Sequence, residues 1–482
     1  MLSISPHSTA WTWRLFQVYA SKAVNRYLTD ASSLIKAGLS KSDTFQLLSD
    51  NGYKTVLSPK YTSEISRHPA LSFSRVISSE NHTHIKGFDA FKQFSAAAHA
   101  FQNAVRIELT RALGGIAKPL SEEVSLALQK NWGDNLDWHD LPLKPTIQSI
   151  VAQLSSRVFL GDQICRNPEW LQITVDHSVD SLRAGEELRL WPYITRPVVA
   201  LFLQSCRKVR QDLLQARRII TPVLEERRKS KESASRKGVP LPQYNDALEW
   251  MEQASKGLPY DPAASQLTFS LAAIITTSDM MTQALFDLCG REELVAALRE
   301  EIISVISTHG WRKTAMYKLQ LMDSFLKESQ RLKPLAIVSL RRIAETDVQL
   351  EDGTNIAKGT SLLVASDWMR DARFYDQPET FDPYRFLKLR QTPGHEHHAQ
   401  LVSPSPEHLG FGLGNHVCPG RFFAANEMKI ALCHMLLKYD LKLAEGSVPK
   451  PRRYGFAVQA DGEAKVSIRR RREEIALDDI SG

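Results

Sequence analysis

The chain has 482 residues, of which 43% are hydrophobic and 24% charged, a composition that excludes a disordered protein. Its net charge of +7 is mild for this length and does not indicate nucleic acid as a partner. The five cysteines form no CxxC pair, which argues against a disulfide scaffold or a structural zinc site and favours a reducing compartment. Neither GxGxxG nor GxxxxGK[ST] occurs, so nucleotide-binding folds are disfavoured.

The N-terminal segment, residues 1–30, lacks the features of a membrane anchor. Residues 10–24 are apolar but include Arg14 and Lys22, and they are fewer than the ~20 residues that a span needs. A basic n-region and a small-residue cleavage site are also missing. The more apolar window at 267–286 contains Asp279 and several hydroxyl residues, which favours a buried core helix. We therefore expect one large domain over residues 31–482 after a short segment without an anchor helix.

Helical periodicity dominates the rest of the chain. Apolar residues recur at helical spacing in residues 96–114, 121–131, 142–160, 197–228, 265–288, 291–308, 321–332 and 422–438. Short strand-like runs occur at 53–57, 348–350 and 361–365, and Asp352-Gly353 predicts a hairpin turn before 355–356. Two polar stretches, 225–242 and 391–407, are predicted to be exposed loops. The pattern predicts a mainly α fold with small β-sheets in a single large domain.

The densest motif is FGLGNHVCPGR at residues 411–421, which precedes an apolar helix. Its glycines, Gly412, Gly414 and Gly420, predict a tight turn in which the backbone passes close to a flat or bulky group. We expect the N-terminus of the helix to stabilise a Cys418 thiolate and lower its pKa. Such a thiolate suits an axial ligand to haem iron. The alternative, a buried structural cysteine, is the interpretation for the other four cysteines.

This motif resembles the FxxGxxxCxG haem-binding signature of the cytochrome P450 family, and its continuation is similar to that of filamentous-fungal members. Residues 328–331, ESQR, match the family's ExxR motif. FDPYRF at 381–386 resembles the family motif whose arginine forms a buried triad with the Glu and Arg of ExxR. The resemblance implies the cytochrome P450 fold with haem b, iron protoporphyrin IX, as cofactor. It also implies Cys418 as the metal ligand, with Phe411, Gly412 and Gly420 in the haem-binding turn.

Glu328, Arg331 and Arg385 form a predicted structural triad. Glu328 and Arg331 lie one helical turn apart and therefore share a face, and Arg385 supplies a second guanidinium. Buried charges must be paired or they cost several kcal/mol each. We expect the triad to fix the segment leading to Cys418 without contacting substrate.

The resemblance also implies three anchors for the haem propionates, which need cationic or hydrogen-bonding partners. They are His416, Arg342 and Arg106. The family usually has a tryptophan four residues before the last of these, where this chain has Gln102. A surface helix arginine is therefore the alternative interpretation of Arg106.

Residues 272–277, AAIITT, look like the family's oxygen-activating AGx[D/E]TT segment. Small residues there leave room for O2, and the Thr276 hydroxyl holds a water for proton delivery. Ile275 replaces the usual acid, which weakens a carboxylate relay, and Asp279 lies a turn further along the axis. An ordinary core helix is the alternative.

Family geometry implies a distal substrate pocket beside Thr276. Its predicted lining residues are Phe269, Ala273, Ile337, Val338 and Phe456. They are apolar, which suits a lipophilic small molecule held mostly by burial. Related fungal enzymes often oxidise terpenoid, indole-diterpenoid or polyketide intermediates, and the sequence does not select among these.

The chain contains no visible flavin or iron–sulfur motif, so the resemblance implies electrons from a separate NADPH-dependent cytochrome P450 reductase. The cysteine side of the molecule, with Arg421, Lys429 and Lys438, is the expected docking face. Relatives are usually held at the cytosolic face of the endoplasmic reticulum membrane by an N-terminal helix. Here we expect either no anchor, a start that is incomplete, or peripheral contact through an amphipathic face.

The main interpretation is a haem-thiolate monooxygenase that hydroxylates or epoxidises a lipophilic metabolite with O2 and reductase-delivered electrons. A reductase-independent haem-thiolate isomerase or peroxygenase is the alternative, and the retained Thr276 disfavours it. A haem protein that binds or senses a gas, and a helical scaffold without haem, remain as more distant alternatives.

Overall fold

The computed structural model describes residues 6–94 and 99–482, with side chains from residue 21 onwards except at 95–99. Residues 1–5 of the predicted N-terminal segment and 96–98 of the predicted helix 96–114 lie outside the described residues. The helices are α1 (Pro6–Leu39), α2 (Thr62–Arg67), α3 (Phe73–Glu80), α4 (Asp89–Lys92), α5 (His99–Asn103), α6 (Thr110–Ala112), α7 (Ala117–Trp132), α8 (Leu143–Leu160), α9 (Pro168–Arg189), α10 (Arg196–Phe202), α11 (Gln204–Lys237), α12 (Ala247–Ser255), α13 (Pro262–Leu288), α14 (Glu292–His309), α15 (Lys313–Lys318), α16 (Gln320–Leu332), α17 (Arg385–Arg390) and α18 (Arg421–Lys438).

The strands are short and form four small sheets. They are β1 (Thr44–Ser49), β2 (Gly52–Leu57), β3 (Leu71–Ser72), β4 (His139–Pro142), β5 (Val338–Ala344), β6 (Val348–Gln349), β7 (Asn355–Ile356), β8 (Ser361–Ala365), β9 (Tyr439–Leu443), β10 (Arg452–Tyr454), β11 (Ala457–Gln459) and β12 (Lys465–Arg470). The largest sheet has the order β1-β2-β8-β5-β3, with β2 and β8 parallel. The others are β4-β12-β9, β6-β7 and β10-β11. The predicted mainly α class with small sheets is confirmed.

The predicted hairpin near residue 350 is present in the structure. β6 and β7 pair antiparallel, with Val348 opposite Ile356. Gly353 adopts φ = 85° in the turn, a backbone conformation that side-chain-bearing residues rarely adopt. Alternating hydrophobicity therefore located this hairpin correctly, because the turn chemistry and the strand pattern agree.

The predicted exposed loop at 225–242 is wrong over most of its length, because α11 continues to Lys237. Charged residues such as Lys, Arg and Glu are good helix formers, so charge alone does not end a helix. This extension is held by α12, where Lys231 pairs with Glu249 at 2.6 Å and Arg228 with Glu252 at 2.7 Å. The helix ends at Gly238, whose φ of 66° suits a left-handed C-cap.

The sequence analysis did not predict one long helix, α9. Its start is well encoded, because the Asn167 side chain accepts a hydrogen bond from the Trp170 amide and Pro168 occupies the first turn. Its apolar face is broken by Thr174, His177 and Ser178, all of them buried. These buried polar residues obscured the helical periodicity.

Helix α13 passes through the centre of the largest hydrophobic cluster. Helices α8, α9, α11 and α16 pack against it. A second group of apolar residues lies around the five-stranded sheet and joins α1 to it through Tyr27, Ala31 and Ile35. The core helices therefore position the residues that the sequence motifs single out.

Helix α1 consists of two helical parts that meet at Asp30, where φ is −148°. The Asp30 carboxylate accepts a hydrogen bond from the Ser33 amide and so caps the second part. Among the described residues, none of the helices has both the length and the apolar character required to cross a bilayer.

Candidate haem-thiolate site

The turn before Cys418 is closed by backbone hydrogen bonds. The Cys418 amide donates to the Phe411 carbonyl at 2.8 Å, and the Gly412 amide donates to the Leu409 carbonyl at 2.9 Å. Gly412 and Gly414 adopt φ of 71° and 69°. A Cβ at Gly414 would collide with the Ser66 carbonyl oxygen, so this glycine is required by both conformation and space.

The Cys418 thiol lies half-buried just before α18. Burial raises its pKa above the ordinary value, while hydrogen bonds from the Gly420 and Arg421 amides and the charge of Arg421 oppose that rise. The amides at the helix terminus therefore lower the pKa of Cys418 as expected, but loss of solvation raises it by more than they lower it. Coordination to a metal deprotonates a thiol outright, so the site is suited to a ligand of iron rather than to a free thiolate.

Arg342 is a buried cation whose position depends on a bulge in β5. The register between β5 and β8 shifts between Ser339 and Arg342, and Leu340 adopts a φ of 48°. Arg342 is only 2% exposed, and within the described part of the chain its one hydrogen bond runs from Nη1 to the Arg341 carbonyl at 2.8 Å. Its Nε and Nη2 are buried without a partner among the described residues. Two unused donors on a buried guanidinium fit an anionic group such as a haem propionate.

The three predicted propionate anchors lie together in the structure. Arg106, in the π-helical turn Ala104–Leu109, donates from Nη2 to the Asn415 carbonyl at 3.0 Å. Partial burial and the charges of Arg342 and Arg106 lower the pKa of His416 to about 4. His416 is therefore neutral at pH 7 and offers a hydrogen bond, while the two arginines offer charge.

The predicted triad is assembled as the sequence analysis expected. Glu328 and Arg331 are fully buried and joined by two bonds of 2.8 Å, and Arg385 Nε lies 3.2 Å from Glu328 Oε1. Arg331 Nη1 also donates to the Met369 and Pro378 carbonyls at 2.7 Å. The cluster therefore fixes the backbone of residues 369–382 against α16.

Sequence reasoning missed Tyr375, which covers this triad. The Arg331 guanidinium lies 4.8 Å from the centre of the Tyr375 ring, and the hydroxyl donates to the Glu407 carbonyl at 3.0 Å. An aromatic face stabilises a desolvated cation. No local pattern around Tyr375 indicates this contact, because its partners are distant in the sequence.

Helix α13 is buried along most of its length but opens at the predicted oxygen-activating segment. Ala272 and Thr276 are exposed and Ala273 is half-buried, whereas Leu271, Ile274 and Thr277 on the remaining faces are buried. Ala272 and Ala273 lie four and three residues before Thr276, so each shares a helix face with it. The Thr276 hydroxyl donates to the Ala272 carbonyl at 2.8 Å, which leaves its oxygen free to accept.

Asp279 is committed to an ion-pair cluster. It accepts from Lys144 at 3.0 Å and from the Ala460 amide at 2.8 Å, and it contacts Lys333 closely. Both carboxylate oxygens are thereby engaged with α8, the end of α16 and the segment before β12. Asp279 joins α13 to these elements. It is therefore not free to take the place of the acidic residue that the family has at position 275.

The predicted pocket residues divide into open and enclosed positions. Ala273 and Ile337 are half-buried, and the Ile337 amide donates to the Phe456 carbonyl at 3.0 Å. Phe269 is 3% exposed, with its ring centre 4.6 Å from that of Phe101 and 5.0 Å from that of Phe159. The remaining enclosed positions, Val338 and Phe456, belong to the cluster around α1. The assignment of all five residues to a substrate pocket stays a prediction.

Two of the three expected cationic docking residues, Lys429 and Lys438, are buried, and the third, Arg421, is half-buried. Lys429 is 4% exposed, donates to the Met316 carbonyl at 2.9 Å and pairs with Asp323. Lys438 is also 4% exposed and pairs with Asp478 at 2.7 Å. The expected docking role of both lysines is therefore wrong, because each is buried and pairs with a local carboxylate, Asp323 or Asp478.

The chain is similar to known proteins along most of its length. The family model for cytochrome P450 matches residues 53–466. Cytochrome P450 monooxygenase adrA of Penicillium rubens is 51% identical over 470 residues, covering 96% of this chain and 91% of the relative. Cytochrome P450 monooxygenase trt6 of Aspergillus terreus is 50% identical over 458 residues, covering 94% and 92%. Cytochrome P450 monooxygenase easM of Aspergillus fumigatus is 43% identical over 450 residues, covering 93% and 87%.

The chain belongs to the cytochrome P450 family. Within that family it is a monooxygenase of fungal secondary metabolism, and so an oxidoreductase with haem iron. The sequence-based assignment of family, fold class and enzyme class is confirmed.

Proposed function

We propose that the protein binds haem b through Cys418 and uses O2 and electrons from a separate NADPH-dependent reductase to hydroxylate or epoxidise a lipophilic metabolite. The observation that carries this proposal is Arg342, a buried guanidinium with two unused donors beside His416 and Arg106. Haem held by a cysteine thiolate supplies an iron centre that activates dioxygen, with electron donation from sulfur that favours O–O cleavage. One oxygen atom enters the substrate and the other leaves as water.

The protein's own residues hold the haem, support the cysteine turn and shape the oxygen site. Arg342, Arg106 and His416 hold the propionate edge, and the turn at Phe411, Gly412 and Gly420 lets the backbone approach the macrocycle. The Glu328 triad fixes residues 369–382 against α16. On α13, Ala272 and Ala273 leave space for O2, while Thr276 accepts a hydrogen bond from a water that delivers protons.

The substrate class follows from the chemistry of the open face of α13 and its neighbours. Ala273 and Ile337 are apolar and half-buried, which favours a ligand held by burial. We propose a terpenoid, indole-diterpenoid or polyketide intermediate. The test is turnover of such compounds by the purified protein with reductase and NADPH, followed by mass spectrometry. An oxygenated product labelled from 18O2 supports the proposal, and conversion without label contradicts it.

A reductase-independent isomerase or peroxygenase is the second candidate. The observation that favours it is Ile275 at the usual acid position, together with the engagement of Asp279 by two lysines. The discriminating measurement is product formation from the same substrate with peroxide, or with no oxidant, in the absence of NADPH and reductase.

We also propose a catalytic domain at residues 31–482, held at the cytosolic face of the endoplasmic reticulum by peripheral contact. The break of α1 at Asp30 supports the boundary. Membrane contact is supported by exposed apolar side chains between α9 and α11, with Leu190 84%, Ile194 89% and Phe202 70% exposed. Binding to phospholipid vesicles, lost in a variant with polar residues at these positions, tests this proposal.

A further inference from the structure

Lys327 directly precedes the triad residue Glu328 on α16 and is 1% exposed. Its ammonium group donates to three backbone carbonyls, those of His398 at 2.9 Å, Gln400 at 2.8 Å and Ser403 at 2.9 Å. The Phe386 ring lies beneath it at 4.9 Å. All three ammonium protons are thereby used, and none of them reaches a carboxylate.

The segment bound by Lys327, residues 398–403, lies within the predicted surface loop 391–407. That prediction is wrong for this part, because Ala399 is 2% exposed and Leu401 is fully buried. One turn before Lys327 on α16, Asp323 accepts a hydrogen bond from the Leu401 amide at 2.8 Å. Helix α16 therefore satisfies both donors and acceptors of this short backbone segment, which a buried loop requires.

The same segment contacts the cysteine turn from its other side. Arg421 donates from Nε to the Val402 carbonyl at 3.0 Å and from Nη1 to the Cys418 carbonyl at 2.9 Å. A continuous path of hydrogen bonds and backbone thus runs from Lys327 through residues 400–403 to Arg421 and Cys418. The triad fixes residues 369–382, so this path is a separate connection between α16 and the cysteine.

We propose that Lys327 is a positioning residue for the axial thiolate. It holds residues 398–403 as a rigid support, and Arg421 transmits that position to Cys418. The inference rests on the proposed haem binding at Cys418. Substituting a residue that orients a metal ligand from outside the coordination shell commonly lowers metal affinity by about 10- to 100-fold.

The test compares Lys327→Met with Lys54→Met in the purified holoprotein. Lys54 is a matched control because it is another buried lysine, which pairs with Glu80 at 2.7 Å in a different part of the fold. For each variant we would measure haem affinity, the unfolding midpoint in urea and the Soret band of the reduced CO complex. A strongly red-shifted band reports the thiolate ligand, and a band at shorter wavelength reports its loss.

We expect Lys327→Met to reduce the thiolate fraction several-fold and to weaken haem binding by about 10- to 100-fold. Lys54→Met should lower the unfolding midpoint and keep the red-shifted band. A folded Lys327→Met protein with wild-type thiolate fraction and haem affinity overturns the inference. A wild-type protein without the red-shifted band overturns the proposed function instead.

Arg421→Gln provides a second test if Lys327→Met does not fold. This variant leaves α16 and its contacts with residues 398–403 intact but removes the link to Cys418. It should show the same loss of the thiolate fraction. Retention of the full red-shifted band in Arg421→Gln would overturn the inference independently.

Discussion

Arg342 is held in an unfavourable environment by the surrounding structure. Burial lowers its pKa to about 10, and two of its donors have no partner among the described residues. A buried cation without a paired anion destabilises a fold unless a ligand supplies the anion. The bulge at Leu340 places Arg342 in this position. It therefore lowers the stability of the haem-free protein and provides a cation for an anionic ligand.

Arg342→Met should accordingly change two properties in opposite directions. We expect the haem-free protein to become more resistant to urea, because an unpaired buried charge is removed. Haem affinity should fall by about tenfold or more, the scale of a charge-assisted hydrogen bond. Urea unfolding of the haem-free protein and titration with haem measure the two effects, with Arg341→Met as the neighbouring control. Loss of both stability and affinity would contradict this account.

Glu427 on α18 is another buried ionisable residue, and its burial makes the free energy of unfolding depend on pH. It is fully buried, and its single partner among the described residues is the Ser155 hydroxyl at 2.8 Å. Burial raises its pKa to about 8. Between the unfolded pKa near 4.5 and this value, the folded state holds a proton that the unfolded state has lost. Stability therefore falls as pH rises through that window, by at most about 1.4 kcal/mol per pH unit.

Glu427→Gln should remove this pH dependence, because the amide is neutral throughout and still accepts from Ser155. We expect the variant to match the wild type near pH 4.5 and to exceed it in stability at pH 8. Urea unfolding of both proteins at the two pH values is the measurement. Parallel stability curves for the two proteins would show that Glu427 is ionised in the folded state.

At the scale of elements, α16 connects the helical core to the segments that approach Cys418. Its buried face carries Asp323, Lys327, Glu328 and Arg331, and each of them binds backbone or a charge from another element. Removing one member of a buried ion pair on this helix strongly destabilises the fold, because the charge of the other member stays buried without a partner.

Glu328→Ala leaves the Arg331 guanidinium buried without its carboxylate, at a cost of about 3–5 kcal/mol. We expect this variant, and Arg331→Ala, to lose haem incorporation in cells and in refolded protein. The haem-to-protein ratio measures the effect, with Glu345→Ala as an exposed control. A normal ratio in either triad variant would contradict the structural role of the triad.

In the proposed function, helix α13 acts through its open face at Ala272 and Thr276. Thr276→Ala keeps the shape of that face but removes the hydroxyl, so substrate binding should be unchanged. We expect product formation per electron consumed to fall by about 10²-fold or more, with hydrogen peroxide formed instead. Thr276→Ser retains the hydroxyl and should recover most of the coupling. Equal coupling in Thr276→Ala and the wild type would exclude a role for this hydroxyl in proton delivery.

The elements differ in how well the sequence predicts them. The hairpin at Asp352-Gly353 and the central helix near 265–288 were predicted because local patterns determine them. The continuation of α11 to Lys237 and the burial of Leu401 were not, because salt bridges to α12 and hydrogen bonds from α16 determine those features. Such contacts join residues far apart in the chain, and periodicity carries no information about them.

At the scale of the whole molecule, the cysteine turn, the buried Arg342 and the open face of α13 each derive from a different region of the chain. Short motifs predicted the contacts of Glu328, Arg331 and Arg385 correctly, while the roles of Cys418 and Arg342 stay predictions from the family resemblance. Sequence analysis did not anticipate the burial of Lys429 or the rise that burial causes in the pKa of the Cys418 thiol, since both depend on how much of the surrounding fold excludes water.

The most direct measurement is the absorption spectrum of the dithionite-reduced, CO-bound protein, recorded for wild type, Cys418→Ala and Cys433→Ala. Cys433 is a matched control because it is fully buried on the following helix. We expect a strongly red-shifted Soret band in wild type and Cys433→Ala, and its loss in Cys418→Ala. A wild-type protein without that band, or a band unchanged in Cys418→Ala, would contradict the assignment of Cys418 as the axial ligand.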